Sequence, residues 1–155
     1  MSSPLPPPSV LPACPPAGRL EQGSLGATCR ELDRFGALGA LCGRRGRYLL
    51  RKAAVLLGRG TESQGKVDVD LSAEGHAQTV SRRQAQLFLH PGGGGYALRC
   101  TGRRSMAVNG AVLRRGDVAP LPHLSLLQVG GLSLLFLENR AATARLLKRS
   151  AALTV

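Results

Sequence analysis

Ala53-Ala54-Val55-Leu56-Leu57-Gly58-Arg59 is a strand-like apolar run that ends in a glycine and an arginine. A polar excursion through Val67-Asp68-Val69-Asp70-Leu71 follows, and Val80-Ser81-Arg82-Arg83-Gln84 then leads into a second strand-like run, Ala85 to Leu89. Glycine lets the chain turn where a side chain would clash, and the arginine beside it falls at a strand end, on the rim and not in the core. Ser81 and the Arg82-Arg83 pair come back from the following loop. Arginine forks and a short hydroxyl on converging loop tips have the donor chemistry that a phosphate ester requires.

Working outward, the same period continues on both sides. Tyr48-Leu49-Leu50 precedes the run, after a break at Gly43-Arg44-Arg45-Gly46. A helix over 47–57 suits the residue types, but the flanking glycines and the brevity favour strands. Downstream, Gln86-Leu87-Phe88-Leu89 and Tyr96-Ala97-Leu98-Arg99-Cys100 are separated by Pro91 and four glycines. Met106-Ala107-Val108 and Ala111-Val112-Leu113 flank Asn109-Gly110, a strong hairpin signal because both residues tolerate positive φ. Leu124 to Val129 and Leu132 to Leu137 flank Gly130-Gly131 in the same manner. Short strands with frequent turns predict an all-β sandwich over residues 37–140.

The ends read differently. Residues 1–36 open on Ser-Ser-Pro-Leu-Pro-Pro-Pro and are expected to be a proline-rich disordered tail or lead-in, with a helical turn or two between Glu21 and Phe35. Over 141–155 the period changes: Thr143, Leu146, Leu147, Ser150 and Leu153 share one helical face, opposite Arg145, Lys148 and Arg149. A C-terminal helix packed on the sandwich is expected there.

Composition narrows the function. Twenty-one Lys and Arg against nine Asp and Glu give a net charge of +12, which suits an anion-binding surface and also reflects a general arginine bias. No run approaches the roughly 18 apolar residues of a membrane span. The opening residues match neither a secretory nor a mitochondrial leader, so the reading is against both destinations. Cys14, Cys29, Cys42 and Cys100 contain no Cys-x-x-Cys pair and are expected to be free thiols. His76, His90 and His123 lack metalloprotease spacing, and Gly92–Gly95 lacks the Lys-Ser/Thr of a phosphate-binding loop. Asp68, Asp70 and Glu74 form a local acidic patch, read as a solvated strand edge or loop in preference to a cation site. Catalytic residues, metal ligands and cofactors are therefore not expected, and the chain reads as a binding module.

The order Leu-Gly-Arg, loop, Ser-Arg-Arg-Gln, β run, Val-Asn-Gly resembles a forkhead-associated (FHA) domain. Within that superfamily, Gly46–Arg51, Val67–Gly75, Ser81–Gln84 and Gly102-Arg103-Arg104 are most similar to the FHA domain of microspherule proteins, and the likeness covers roughly 37–147. The resemblance implies a β-sandwich whose loops at one end hold a phosphothreonine peptide. Carried over singly, Arg59 after Gly58 matches the family's phosphate-contacting arginine and Ser81 its phosphate-binding serine. Arg82 or Arg83 matches the adjacent basic position. Gln84 stands where the family has the histidine of Ser-x-x-His, which braces the loops; a glutamine amide also donates and accepts. Arg104, with Arg103 before it, replaces the asparagine that holds the peptide backbone, and microspherule proteins share this change. Asn109 and Gly110 belong to the later hairpin.

The resemblance implies an anion pocket formed by Arg59, Ser81, Arg82 and Arg104, and a partner that is a phosphorylated or acidic protein. It also implies a nuclear setting, in chromatin-remodelling or histone-acetyltransferase complexes. Two other readings stay open: nucleic-acid binding through Arg82, Arg83, Arg103 and Arg104, and a scaffold with a degenerate pocket. No membrane partner is expected.

Overall fold

Two β-sheets pack face to face in the structure, a computed structural model that describes residues 10–12, 30–60, 67–75, 77–90 and 95–153. In chain order the strands are β1 (Val10–Pro12), β2 (Gly39–Cys42), β3 (Gly46–Leu50), β4 (Ala54–Gly58), β5 (Val69–Asp70) and β6 (Ala85–Leu89). They continue with β7 (Tyr96–Cys100), β8 (Met106–Val108), β9 (Ala111–Leu113), β10 (Val118–Leu121), β11 (Leu126–Val129) and β12 (Leu132–Glu138). One sheet runs β1-β3-β2-β12-β11-β8-β9 and the other β10-β7-β6-β4-β5. Helix α1 covers residues 30–34 and helix α2 covers Arg140–Leu153.

Alternation builds the core. Val55 and Leu57 on β4, Ala85, Leu87 and Leu89 on β6, and Tyr96, Leu98 and Cys100 on β7 face inward and are buried. They meet Leu41, Leu127, Leu134 and Phe136 of the larger sheet. Tyr96 and Phe136 pack edge to face with ring centroids 5.4 Å apart, so two of the chain's few aromatics anchor the centre. A second apolar cluster lies on the far side of the larger sheet. There Leu32 and Phe35 of the α1 segment cover Ala40, Cys42, Leu49 and Leu137.

Both expected glycine hairpins form. Asn109 and Gly110 have φ of 51° and 85°, and Gly130 and Gly131 have 54° and 82°, the backbone sign that a right-twisted two-residue hairpin needs. The β4 region is a strand, which settles the helix alternative over 47–57. Four details differ from the sequence reading. Strand β10 has no counterpart in it; this strand contains Pro120, which a sheet edge tolerates. Strand β11 starts at Leu126 and not Leu124, since Leu124 takes a φ of 70° in a turn closed by Ser125 N–H to Pro122 O at 3.1 Å.

The folded unit also reaches back past residue 37. Leu32 is fully buried, and β1 pairs antiparallel with β3, taking up backbone groups of an edge that β3 would otherwise expose. The rest of the stretch read as disordered tail, residues 1–9 and 13–29, lies outside the described residues, as do Cys14 and Cys29. The Cys42 and Cys100 side chains are buried in the sandwich.

Fourth, the acidic residues are not solvated alike: Asp68 and Asp70 are exposed beside β5, as a solvated edge or loop would be, whereas Glu74 is buried. Buried Glu74 accepts from Arg45 N and from the Tyr48 hydroxyl. Burial and the Glu74 carboxylate together hold that hydroxyl protonated well above the usual tyrosine range. Burial pushes the Asp70 carboxyl up, but Ser72 and Gly60 N donate to it and the balance holds it below the usual range. Asp68 is pushed up by burial and pulled further down by Lys52 and Leu56 N. All three carboxylates tie loops to the sandwich.

Helix α2 begins as the change of period predicts. Asn139 caps it, accepting from Ala142 N through its side chain at 3.3 Å. Thr143 is buried and donates to Glu138, and Ala142 and Leu146 pack on the core.

Candidate functional site

At one end of the sandwich, three loops meet: the chain after β4, the turn before β6, and the segment between β7 and β8. Two close backbone approaches bring them together. A Cβ at Gly58 would sit 2.7 Å from the Arg82 carbonyl carbon, so only glycine lets the turn before β6 press against the end of β4. Arg59 N–H then donates to Ser81 O at 3.1 Å. A Cβ at Gly102 would sit 2.7 Å from both side-chain atoms of Ser81, so Gly102 admits the serine into the third loop. Arg104 N–H donates to the Ser81 hydroxyl at 3.3 Å. A hydroxyl that accepts one bond keeps its own proton for a ligand.

Gln84 holds this junction. Its side chain is fully buried, its Oε1 accepts from Ser81 N at 2.9 Å, and its Nε2 donates to Arg104 O at 2.7 Å. Its backbone carbonyl also receives Thr101 N and Gly102 N. One residue thus links all three loops, because Gln84 N–H itself bonds Leu57 O on β4. Thr101 adds a further tie through its hydroxyl to Arg83 O at 2.9 Å.

Around this junction opens a cleft of about 830 Å³, lined by Arg59, Ser81, Arg82, Arg83, Arg103 and Arg115, with Leu56, Gln86, Thr101 and Gly102. Among the described residues, ion pairs are formed by Arg47 with Glu31, Lys52 with Asp68, and Arg145 with Asp33, and by none of the cleft arginines. Five guanidinium groups without carboxylate partners make the cleft strongly electropositive and leave their donors for an anion.

Five of the six residues read from the sequence as ligand-binding, Arg59, Ser81, Arg82, Arg83 and Arg103, therefore line one cleft. The side chain of Arg104 is exposed and does not line it; Arg104 contributes its backbone N–H and carbonyl to Ser81 and Gln84. The four-residue pocket of Arg59, Ser81, Arg82 and Arg104 is thus replaced by a set in which Arg103 and Arg115 take the place of Arg104. Asn109 lies apart, bonding Leu126 N and Ser125 within the hairpin region. Arg115 was missed. Its local signal is the Arg114–Asp117 turn, closed by Asp117 on Arg114 N at 2.9 Å, but only the pairing of β10 with β7 brings that turn to the cleft. Among the described residues no cluster of His, Cys, Asp and Glu has the arrangement of a metal site. No described helix is long and apolar enough to cross a membrane.

Known proteins share the fold. The family model of the FHA domain matches residues 55–130. The pre-rRNA-processing protein FHL1 of Saccharomyces cerevisiae is 31% identical over 92 residues, which is 58% of this chain and 10% of that protein. The chain therefore spans about a tenth of that relative. Among solved structures, the MEK1 FHA domain in complex with a HOP1 phosphothreonine peptide superposes with a TM-score of 0.53 at 15% identity, covering 66% of this chain and 98% of that one. The N-terminal FHA domain of S. cerevisiae Rad53p, bound to a phosphothreonine peptide, gives 0.53 at 13% identity, over 69% and 98%. An engineered FHA domain with a Myc-pTBD peptide gives 0.56 at 16%, over 72% and 98%.

Proposed function

We propose, from the premise that this chain carries an FHA domain, that it is a binding module for phosphothreonine-containing protein segments. The observation that carries the reading is the convergence of Arg59, Ser81 and Arg82 on one cleft whose arginines have no carboxylate partner among the described residues. A phosphothreonine brings about −1.5 to −2 charges and three acceptor oxygens, which forked guanidinium donors and one hydroxyl complement. Gln84 supports the role by holding Ser81 and the Arg104 backbone in register, the bracing that the family's histidine supplies.

Two structures with the same fold hold phosphothreonine peptides, which supports the ligand class for this chain. The microspherule-like stretches support a nuclear setting within a chromatin-remodelling or histone-acetyltransferase complex. Microscopy of the tagged chain tests that setting, and exclusion from the nucleus overturns it.

The binding reading is tested by titrating the full chain with a phosphothreonine peptide, its unphosphorylated twin and duplex DNA at two salt concentrations. Phosphate-dependent binding that resists salt is expected. Preferential DNA binding that falls steeply with salt would move the function to nucleic acid. Among the described residues no aromatic side chain lines the cleft for base stacking, which favours the peptide. Indifference to all three probes would leave a scaffold.

A further inference from the structure

The two sheets treat their outer faces differently. The larger sheet hides part of its outer face under Leu32 and Phe35. The five-stranded sheet has no comparable cover among the described residues, yet its outer face is partly apolar. Strand pairing lays Leu56, Gln86, Arg99 and Val118 side by side in one row across β4, β6, β7 and β10. The adjacent row is Ala54, Phe88, Ala97 and Pro120. Val118 is 47% exposed, Phe88 is half-buried, and the Arg99 guanidinium stands 5.6 Å from the Phe88 ring centroid. The ring attracts the cation, and Arg99 is exposed on this face.

This face is continuous with the cleft, because Leu56 and Gln86 belong both to the row and to the cleft lining. We infer that the outer face of the five-stranded sheet is a second recognition surface, which reads an extended acidic and apolar segment flanking the phosphothreonine of the same partner. The inference rests on the phosphothreonine reading of the cleft. Charge sets the acidic preference, since Arg99 on the face and Arg115 at the cleft both seek carboxylates. Phe88, Leu56 and Val118 give an apolar side chain a surface to cover. Pro120 withholds a backbone N–H from the free edge of β10, so the segment lies across the face and does not extend the sheet. Spacing sets the distance. Leu56 is three residues before Arg59 on β4, about 10 Å, and the four-strand row is about 14 Å wide, so the segment read is roughly three to seven extended residues from the phosphate.

The test uses the full chain and a phosphothreonine peptide library with randomised flanks on both sides. Enrichment of Asp or Glu together with an apolar residue, three to seven positions from the phosphothreonine, is expected. For a selected peptide, Arg99→Glu combined with Val118→Asp should weaken binding about tenfold. The same pair should leave unchanged a phosphothreonine peptide whose flanks are Gly-Ser. Both changed residues are exposed, and an unaltered melting temperature checks the fold. Flanks that show no enrichment, or selected peptides indifferent to the double variant, overturn the second surface while leaving the cleft reading standing. Binding that ignores phosphorylation overturns both. Self-association of the chain that Val118→Asp abolishes would assign the face to a second copy and overturn the inference as well.

Discussion

Replacing Gln84 with leucine keeps the side chain's bulk and removes its chemistry. Two backbone groups then lose their partners: Ser81 N–H, now bonded to Oε1 at 2.9 Å, and Arg104 O, now bonded to Nε2 at 2.7 Å. Leucine fills the fully buried site but cannot answer either group, and each unsatisfied partner costs about 1–3 kcal/mol. Water reaches the loops from the cleft side, so the lower half of that range applies, giving about 2–4 kcal/mol in total. For a domain of about 100 residues, each kcal/mol lowers the melting temperature by roughly 4 °C, so a fall of about 8–16 °C is expected by calorimetry. Phosphothreonine affinity should fall too, because Ser81 is no longer pinned against the third loop. Gln84→His separates bracing from packing. A neutral imidazole offers one donor and one acceptor, so stability should largely recover at about pH 8. An imidazolium has no acceptor for Ser81 N–H. The burial that disfavours it lowers the folded-state pKa, so the recovered stability should drain away as pH falls below about 6.5. A Gln84→Leu melting temperature within about 3 °C of the parent, with unaltered affinity, would refute the brace, as would a Gln84→His variant with a flat pH profile.

Three further outcomes follow from the same geometry. Gly58→Ala puts a methyl group into the Arg82 carbonyl, so urea denaturation should show a loss of about 2–4 kcal/mol; a loss under about 0.5 would mean that the turn yields freely. Arg59→Ala removes one charge-assisted donor and should weaken phosphothreonine binding about 10- to 100-fold in an anisotropy titration, with little change in melting temperature because the residue is on the rim. His123 accepts from Glu138 N–H at 3.0 Å, and burial, with Arg140 nearby, pushes its pKa below the ordinary value of 6.5. Its neutral form is the one the fold uses, so its contribution is complete above about pH 6.5 and is lost as pH falls toward the lowered value. Urea midpoints between about pH 7.5 and 5 should decline less in His123→Asn, which keeps an acceptor without titrating; equal declines would remove His123 from the account.

The strand periods of 55–57, 85–89, 96–100 and 132–137, the two positive-φ hairpins at Asn109-Gly110 and Gly130-Gly131, and the helix after Glu138 were legible in the sequence alone. Each depends on a residue and its near neighbours, through side-chain alternation or turn chemistry, so local sequence suffices to specify it. The ordered set Gly58-Arg59 and Ser81 to Gln84 likewise led to a cleft where Arg59, Ser81, Arg82 and Arg83 meet. What local sequence could not determine is which other loops reach that end. Arg115 enters because β10 pairs with β7, with Val118 opposite Arg99, a partnership that Pro120 disguises. Arg104 leaves the lining and contributes only its backbone, because Gly102 lets that loop close on Ser81, where the Arg104 N–H and carbonyl bond Ser81 and Gln84. Asp68, Asp70 and Glu74, which read as solvated charge, become loop anchors once Tyr48, Lys52 and Gly60 are folded against them. These outcomes depend on contacts between residues far apart in the chain, and only packing the two sheets together decides which side chains and backbone donors end up face to face.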